Sequence, residues 1–544
     1  MTSPEKIQIQ TINHLGLIAG IIDELGIEQI INEVVGFDDR ELVTAGQVVK
    51  AIILNGLGFV SRPLYLFPQF FEDKATEHLL GKGIDSQHLN DDKIGRVMDK
   101  LFEKNLSLIF LKIALAVVKK YQILTNFSHL DSSSFSVQGK YLDKNLRTDK
   151  KHEVSEVEPA PITITKGYSR DHRPDLKQFI IDLIVSGDGG VPLFLRVADG
   201  NEQDRAVFGK IAYSYKSMVD FETIIVGDSA LYTENNLQLM SKIKWLSRVP
   251  LSIKSAQELV NNVSAQDLTH SKIEGYSWQE VESNYGGIKQ RWLLVESQKR
   301  KESDKIKLSE KIDKEKEKAT KALNSLMKQK FTSSQGATEI ANQFAKSLKY
   351  HQMTEIKIQE TWEKVQKNLE GSPTKKYQLI TSLEINKSQV EQLQARAGRF
   401  ILATNELNKS QLSSYEILIK YKEQQAPERG FAFLKDPLFF ADSVFLKSPQ
   451  RVETMAMLMG LCLMVYSLGQ RELRRQLREA KTGLKNQLGK LTLRPTLRWI
   501  FQCFQGIYLV VLSGVKQVVN LTESRRLTLS FFPLSCQKYY ILSG

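Results

Sequence analysis

FSHLDSSSFSV, residues 127–137, reads as a buried strand in which Phe127, Leu130, Phe135 and Val137 are set among small hydroxyl residues and a single acid, Asp131. A second acid, Asp228, closes a β-branched run in TIIVGDSALY at 223–232. A third, Glu428, lies on a helix-period segment, YKEQQAPERGFAFLK at 421–435. Carboxylates at the ends of buried strands are costly unless something neutralises them. A pair of divalent cations would do so, and two such ions are what an in-line phosphodiester cleavage uses to hold the attacking and leaving oxygens. Taken singly, each acid has an equally ordinary reading as an N-cap or turn residue, so the inference rests on their combination.

The rest of the chain constrains that inference. At 544 residues it has room for two to four domains, and a net charge of +13 favours polyanionic partners, with an acidic membrane surface as the competitor. Cys462, Cys503 and Cys536 have no CxxC spacing, which argues against a zinc site or a disulfide framework and for a reducing cytosol. The N-terminal MTSPEKIQIQ lacks the basic-then-apolar order of a signal peptide. The apolar windows at 454–468 and 507–512 fall short of the roughly 20 residues a spanning helix needs, so both read as core elements and no membrane-spanning segment is expected.

Residues 1–125 carry helix-period apolar positions and read as a helical N-terminal domain for DNA end binding or dimerisation. Within it Thr44 and Gln47 form a capping-box pair ahead of a helix. From 126 to 250 the texture becomes strand, strand, strand, helix, strand, helix, strand, with SGDGG at 186–190 closing a hairpin. That order is the order of a ribonuclease H-like core, which brings carboxylates from its first and fourth strands side by side. Residues 251–410 read as an insertion whose stretch 297–330 has twelve basic and six acidic residues and apolar positions suited to a helical hairpin or coiled coil. Residues 411–544 return to the core and end in helices. The expected fold is therefore α/β: a ribonuclease H-like catalytic core, interrupted by a long mixed helical and strand insertion, behind an all-α N-terminal domain.

Counted from Tyr421, the spacing runs two residues to Gln424, three to Glu428 and six to Lys435. This resembles the YREK signature of insertion-sequence transposases in the DDE superfamily, the IS-four group, and within it the IS-sixteen-thirty-four branch. GYSRDHRPDLKQF at 167–179 and ADGNEQD at 198–204 are similar to pieces of the same enzymes. The resemblance spans essentially the whole chain, and its specificity lies in the set of motifs together.

The resemblance implies that Asp131, Asp228 and Glu428 are a DDE triad holding two Mg²⁺ or Mn²⁺ ions, since hard cations take oxygen ligands. It implies cleavage at the terminal inverted repeats of an element and strand transfer into target DNA. Double-stranded DNA is the partner, with a homodimer in the synaptic complex and a cytoplasmic, nucleoid-associated location. Tyr421, Gln424 and Lys435 become contacts to phosphates at the cleaved end, with Arg429 beside them and Arg170 and Arg173 lining the DNA channel. The signature departs from its pattern at Gln424, which stands where Arg is usual and lacks Arg's bidentate fork. Pro427 also interrupts the signature helix. His129 is either a neighbour of the metals or a packed core histidine. Trp245, Trp278 and Trp292 are either base-stacking or core residues. The rival readings are a ribonuclease H-like nuclease without strand transfer and a decayed or repurposed DNA-binding protein.

Overall fold

A computed structural model describes residues 7–36, 40–139, 141, 160–363, 374–436 and 446–542, and the chain divides into two compact units. Unit 1 comprises Met1–Ser247, Tyr285–Ile288 and Glu416–Gly544, and unit 2 comprises Arg248–Asn284 and Lys289–Tyr415.

Unit 1 opens with β1 (Gln8–Thr11) and the helices α1 (Leu15–Leu25), α2 (Ile27–Val35), α3 (Ala45–Leu57), α4 (Asp91–Glu103) and α5 (Leu106–Tyr121). The caps explain where the helices start. Thr44 Oγ1 accepts from Gln47 N at 3.2 Å while Gln47 Oε1 accepts from Thr44 N at 2.9 Å, the capping box expected before α3. Asn90 and Asn105 cap α4 and α5 through Lys93 N and Leu108 N.

The sheet of unit 1 follows: β2 (Phe127–Val137), β3 (Lys177–Ser186) and β4 (Pro192–Ala198), then α6 (Asp204–Met218), β5 (Ile224–Gly227) and β6 (Lys244–Arg248). Its strand order is β4-β3-β2-β5-β6. The first three strands form an antiparallel meander, and β2, β5 and β6 run parallel. Because β2 is interior, most of its serines are buried and find hydrogen-bond partners: Ser128 Oγ lies 2.8 Å from Thr223 Oγ1, and Ser134 Oγ accepts from Arg170 N at 3.0 Å.

Unit 2 contains β7 (Tyr276–Tyr285) and β8 (Ile288–Ser297), the long helix α7 (Gln298–Lys328), the antiparallel pair β9 (Lys357–Glu363) and β10 (Thr374–Ile380), and β11 (Arg399–Thr404), which pairs antiparallel with β8. Helix α7 buries Ala319 and Leu323, and Leu323 packs with Ala341, on the helix Ser334–Ser347 that follows, and with Leu379 in a small core.

Glu280 on β7 is tied by Arg291 at 3.0 Å, Lys409 at 2.6 Å and Ser414 at 2.6 Å. Burial pushes its carboxyl up, but these three partners outweigh burial and bring it down to about 2. A carboxyl held below its unfolded value stabilises above the unfolded pKa and loses that contribution as pH falls through the folded one. Glu280→Gln should therefore destabilise unit 2 by about 2 kcal/mol at neutral pH, a charged hydrogen bond's worth. Denaturant melts of variant and wild type should converge between about pH 4.5 and 2.

The chain returns through α8 (Ser414–Lys422) and α9 (Gln425–Leu434) to α10 (Pro449–Glu479), α11 (Leu497–Cys503), β12 (Tyr508–Leu512) and β13 (Val515–Val519). Helix α10 is the centre of unit 1, with Met457, Leu458, Leu461, Met464 and Val465 fully buried, each such side chain contributing about 1.5–3 kcal/mol. It is long and apolar enough to cross a membrane by composition, but 89% of that apolar window is buried within the protein, as in a core helix.

Two expectations change here. The N-terminal region is not wholly helical, because β1 pairs antiparallel with β12, and the tail, expected to be helical, carries a β12–β13 hairpin between α11 and its closing short helices Glu523–Leu529 and Leu534–Gln537. The β-branched YLVVL run and the alternation of Gln8, Ile9, Gln10 and Thr11 suit an edge sheet.

Candidate active site

Asp131 and Asp228 are placed by strand register. In the parallel ladder of β2 and β5 the last pair is His129 with Val226, so each aspartate lies two residues beyond it. Adjacent strands are about 4.8 Å apart, which sets the two carboxylates side by side where β5 ends. Each has one oxygen fixed by a backbone N–H: Asp131 Oδ1 accepts from Ser132 N at 2.8 Å and Asp228 Oδ1 from Ala230 N at 2.8 Å.

A third carboxylate joins them, and it is Asp204. Standing in the first turn of α6, it accepts from Ser132 Oγ at 2.6 Å and pairs with Arg170. Arg170 Nη1 also reaches Asp131 Oδ1 at 3.7 Å, and its Nη2 donates to Ser132 Oγ at 3.1 Å. Burial drives the Asp131 carboxyl up to about 7, with Asp228 and Asp204 adding repulsion against the opposing pull of Arg170 and the Ser132 N–H. Asp228 is also raised, by burial and then by Asp204, against its Ala230 bond and the charges of Arg170 and Arg205. The cluster is short of positive charge. Behind it Asp182, fully buried on β3, is raised by burial to about 6 while holding Arg196 at 2.7 Å, which also pairs with Glu202.

The signature segment lies along β2. Helix α8 ends at Lys422 and α9 begins at Gln425, so Pro427 occupies the first turn, where its missing N–H has no intrahelical partner to lose. At the start of the segment Gln424 touches His129 and Leu130, and at its end Lys435 Nζ donates to Ser133 Oγ at 2.8 Å. Asp131 lies between these two attachments. Phe431 packs toward Phe135 with centroids 6.4 Å apart, and Gly430 lets α9 approach Leu183 and Leu463. Glu428, in the first turn of α9, is exposed. Among the described residues no group of three or more His, Cys, Asp or Glu side chains stands close enough to hold a metal ion, so the structure gathers the two aspartates but does not bring Glu428 into contact with them.

The other candidates fall into distinct settings. Expected as a phosphate contact, Gln424 is instead buried, its Oε1 3.1 Å from His129 Nδ1 and its Nε2 donating to the Leu130 carbonyl at 2.7 Å. His129 is fully buried, and desolvation pulls it down to about 4, against the Gln424 bond. It is therefore a neutral packing residue at pH 7, donating from Nδ1 to Gln424. Lys435 also pairs with Asp171 at 2.7 Å and stands 5.0 Å from the Phe135 ring centre. Arg173 is exposed and paired within its own loop to Asp175 at 2.7 Å, Arg429 is exposed, and Tyr421 is half-buried on α8. Trp245 is fully buried against Tyr232, and Trp292 is buried with its Nε1 donating to Gln290.

Asp204 is the residue that sequence reasoning passed over. ADGNEQD offered it as the last letter of a motif, and an acid opening a helix reads as an ordinary N-terminal residue.

Residues 127–465, more than half of the chain, match the transposase DDE domain. The chain belongs to that family. Residues 7–115 of this DDE-domain protein match a domain of unknown function (DUF4277). No curated protein matches it. Among solved structures, the cryo-EM structure of a piggyBac transposase synaptic complex with hairpin DNA is 8% identical and has a TM-score of 0.39, with 98% of this chain and 84% of that chain covered.

Proposed function

We propose that this DDE-family chain is an insertion-sequence transposase of the YREK type, in the IS-sixteen-thirty-four branch. It cuts DNA at the terminal inverted repeats of its element and joins the freed 3′ end to target DNA. The observation that carries this reading is the register match of Asp131 and Asp228 at neighbouring parallel strands, inside a cluster that burial and like charge leave short of cations. The β4-β3-β2-β5-β6 order, antiparallel then parallel, supports a ribonuclease H-like core.

The donor set is carboxylate oxygen throughout, which fits Mg²⁺ or Mn²⁺, and the repulsion within it is what a divalent cation relieves. Asp131, Asp228 and Glu428 would hold two such ions, which supply Lewis acidity toward a phosphodiester. The chain's own groups do the rest. The Ser132 and Ala230 N–H groups orient the two aspartates, and Arg170 balances Asp131 and Asp204. Gln424 fastens the signature helix to β2, so that Glu428 is carried past Asp131, while Tyr421, Arg429, Lys435, Arg170 and Arg173 face the DNA backbone. Two ends are held together by a homodimer acting in the cytoplasm at the nucleoid.

The test is a reaction of purified protein, Mg²⁺ and a linear DNA ending in the repeats that flank its gene, with a supercoiled plasmid as target. Cut ends joined to plasmid are expected. Cutting without joining would leave a nuclease, and no cutting would overturn the reading.

A further inference from the structure

Four arginines stand beside the signature helix, none of them in an ion pair with a described residue. Arg429 follows Glu428 on α9, and α9 packs on α10 through Phe433 and Tyr466, whose ring centroids are 4.7 Å apart. Farther along α10, Arg474 and Arg478 are one turn apart, and Arg474 Nε donates to the Pro495 carbonyl at 2.9 Å, next in sequence to Arg494, whose charge acts on Arg474. The acids nearby are already engaged: Asp436 with Arg498, Asp188, which also feels Arg478, with Arg471 at 2.5 Å, and Glu472 and Glu479 with Arg475 at 2.8 Å. Arg429, Arg474, Arg478 and Arg494 make no ion pair with the described residues. Burial and the charges of Arg494, Arg429 and Arg478 hold Arg474 below the ordinary arginine range, against the pull of Tyr466.

Like charges gathered without counterions destabilise a fold, so such a cluster calls for an anion from outside. We propose that Arg429, Arg474, Arg478 and Arg494 form a track for the phosphate backbone of the DNA strand that runs on from the active site. The occupant follows from continuity: Arg429 adjoins Glu428, so a strand cut at the carboxylates passes over Arg429 before reaching the outer end of α10. Guanidinium groups suit this task because their planar forks match phosphate oxygens. This inference rests on the transposase reading for its partner and extends it to residues outside the signature.

The test is fluorescence anisotropy of a labelled short DNA duplex with the full chain over a series of NaCl concentrations. Each phosphate contact contributes about 0.9 to the slope of log affinity against log salt. The double variant Arg478→Gln with Arg494→Gln should flatten the slope by about 2, and Arg478→Lys with Arg494→Lys should restore most of it. Thermal melts at low salt should show the Gln variant as stable as wild type or more so, since repelling charges have been removed. An unchanged slope in a folded Gln variant overturns the track. The measurement needs no cleavage, so loss of the transposase reading, seen as a wild-type chain that binds DNA but does not cut, is a separate result.

Discussion

Asp131→Asn should abolish DNA cleavage and at the same time make the metal-free protein more stable. The first effect follows from the proposed chemistry. A carboxylate that holds a catalytic cation contributes several kcal/mol of charge stabilisation, and at 1.36 kcal/mol per tenfold its loss is about three orders of magnitude in rate or more. The second effect follows from the electrostatics of the site. Asp131 is raised to about 7 because its charge is buried beside Asp228 and Asp204 with only one guanidinium in reach. A neutral amide of the same shape removes that repulsion and can still accept from Ser132 N. The melting temperature should rise by a few degrees in EDTA. Adding Mg²⁺ should raise the wild-type melting temperature by mass action and leave the variant nearly unmoved. Asp228→Asn should behave alike, with a smaller gain because its Ala230 bond and two arginines already offset part of the repulsion. A variant that cuts at the wild-type rate would remove Asp131 from the catalytic set, while one that melts earlier in EDTA would show the cluster to be balanced.

What the sequence made legible was what local pattern can carry. The β2 and β5 runs, the hairpin at SGDGG and the capping box at Thr44 and Gln47 each follow from a few neighbouring residues, and the structure has all of them. The break before Glu428 was likewise legible from Pro427. The parts that stayed hidden depend on distant partners. Asp204 looks like any helix-opening acid until Ser132 and Arg170 are brought to it, and Gln424 looks like a weakened arginine until His129 and Leu130 take both ends of its amide. The edge sheet joining β1 to β12 links opposite ends of the chain, and no short-range signal announces such a pairing.

The contact that places Arg170 and Asp204 together depends on backbone with no room for a side chain, and that makes Gly200→Ala the most damaging small change expected near the site. A Cβ at Gly200 would fall 1.9 Å from the Gln178 carbonyl oxygen and 2.7 Å from that of Thr165. A Cβ at Gly167 would fall 2.1 Å from the Gly200 carbonyl oxygen. Three segments are stacked there: Thr165 and Gln178 exchange backbone hydrogen bonds at 3.2 and 2.9 Å, and Gly200 N donates to Thr163 at 3.0 Å. Arg170 extends from the first segment, β3 from the second and Asp204 from the third. A methyl group must push carbonyls apart, and carbonyls cannot rotate away as a long side chain can. Overpacking typically costs 1–3 kcal/mol, and here about 3 kcal/mol or more is expected because backbone must move. The displacement should also pull Arg170 away from Asp204 and Ser132, so cleavage should fall by more than the loss of folded protein explains. Gly167→Ala damages the same contact from the other side, so the double variant should cost clearly less than the sum of the two singles. If Gly200→Ala melts with wild type, or if the two substitutions add as independent sites do, the backbone stack does not set the position of the Arg170 and Asp204 pair.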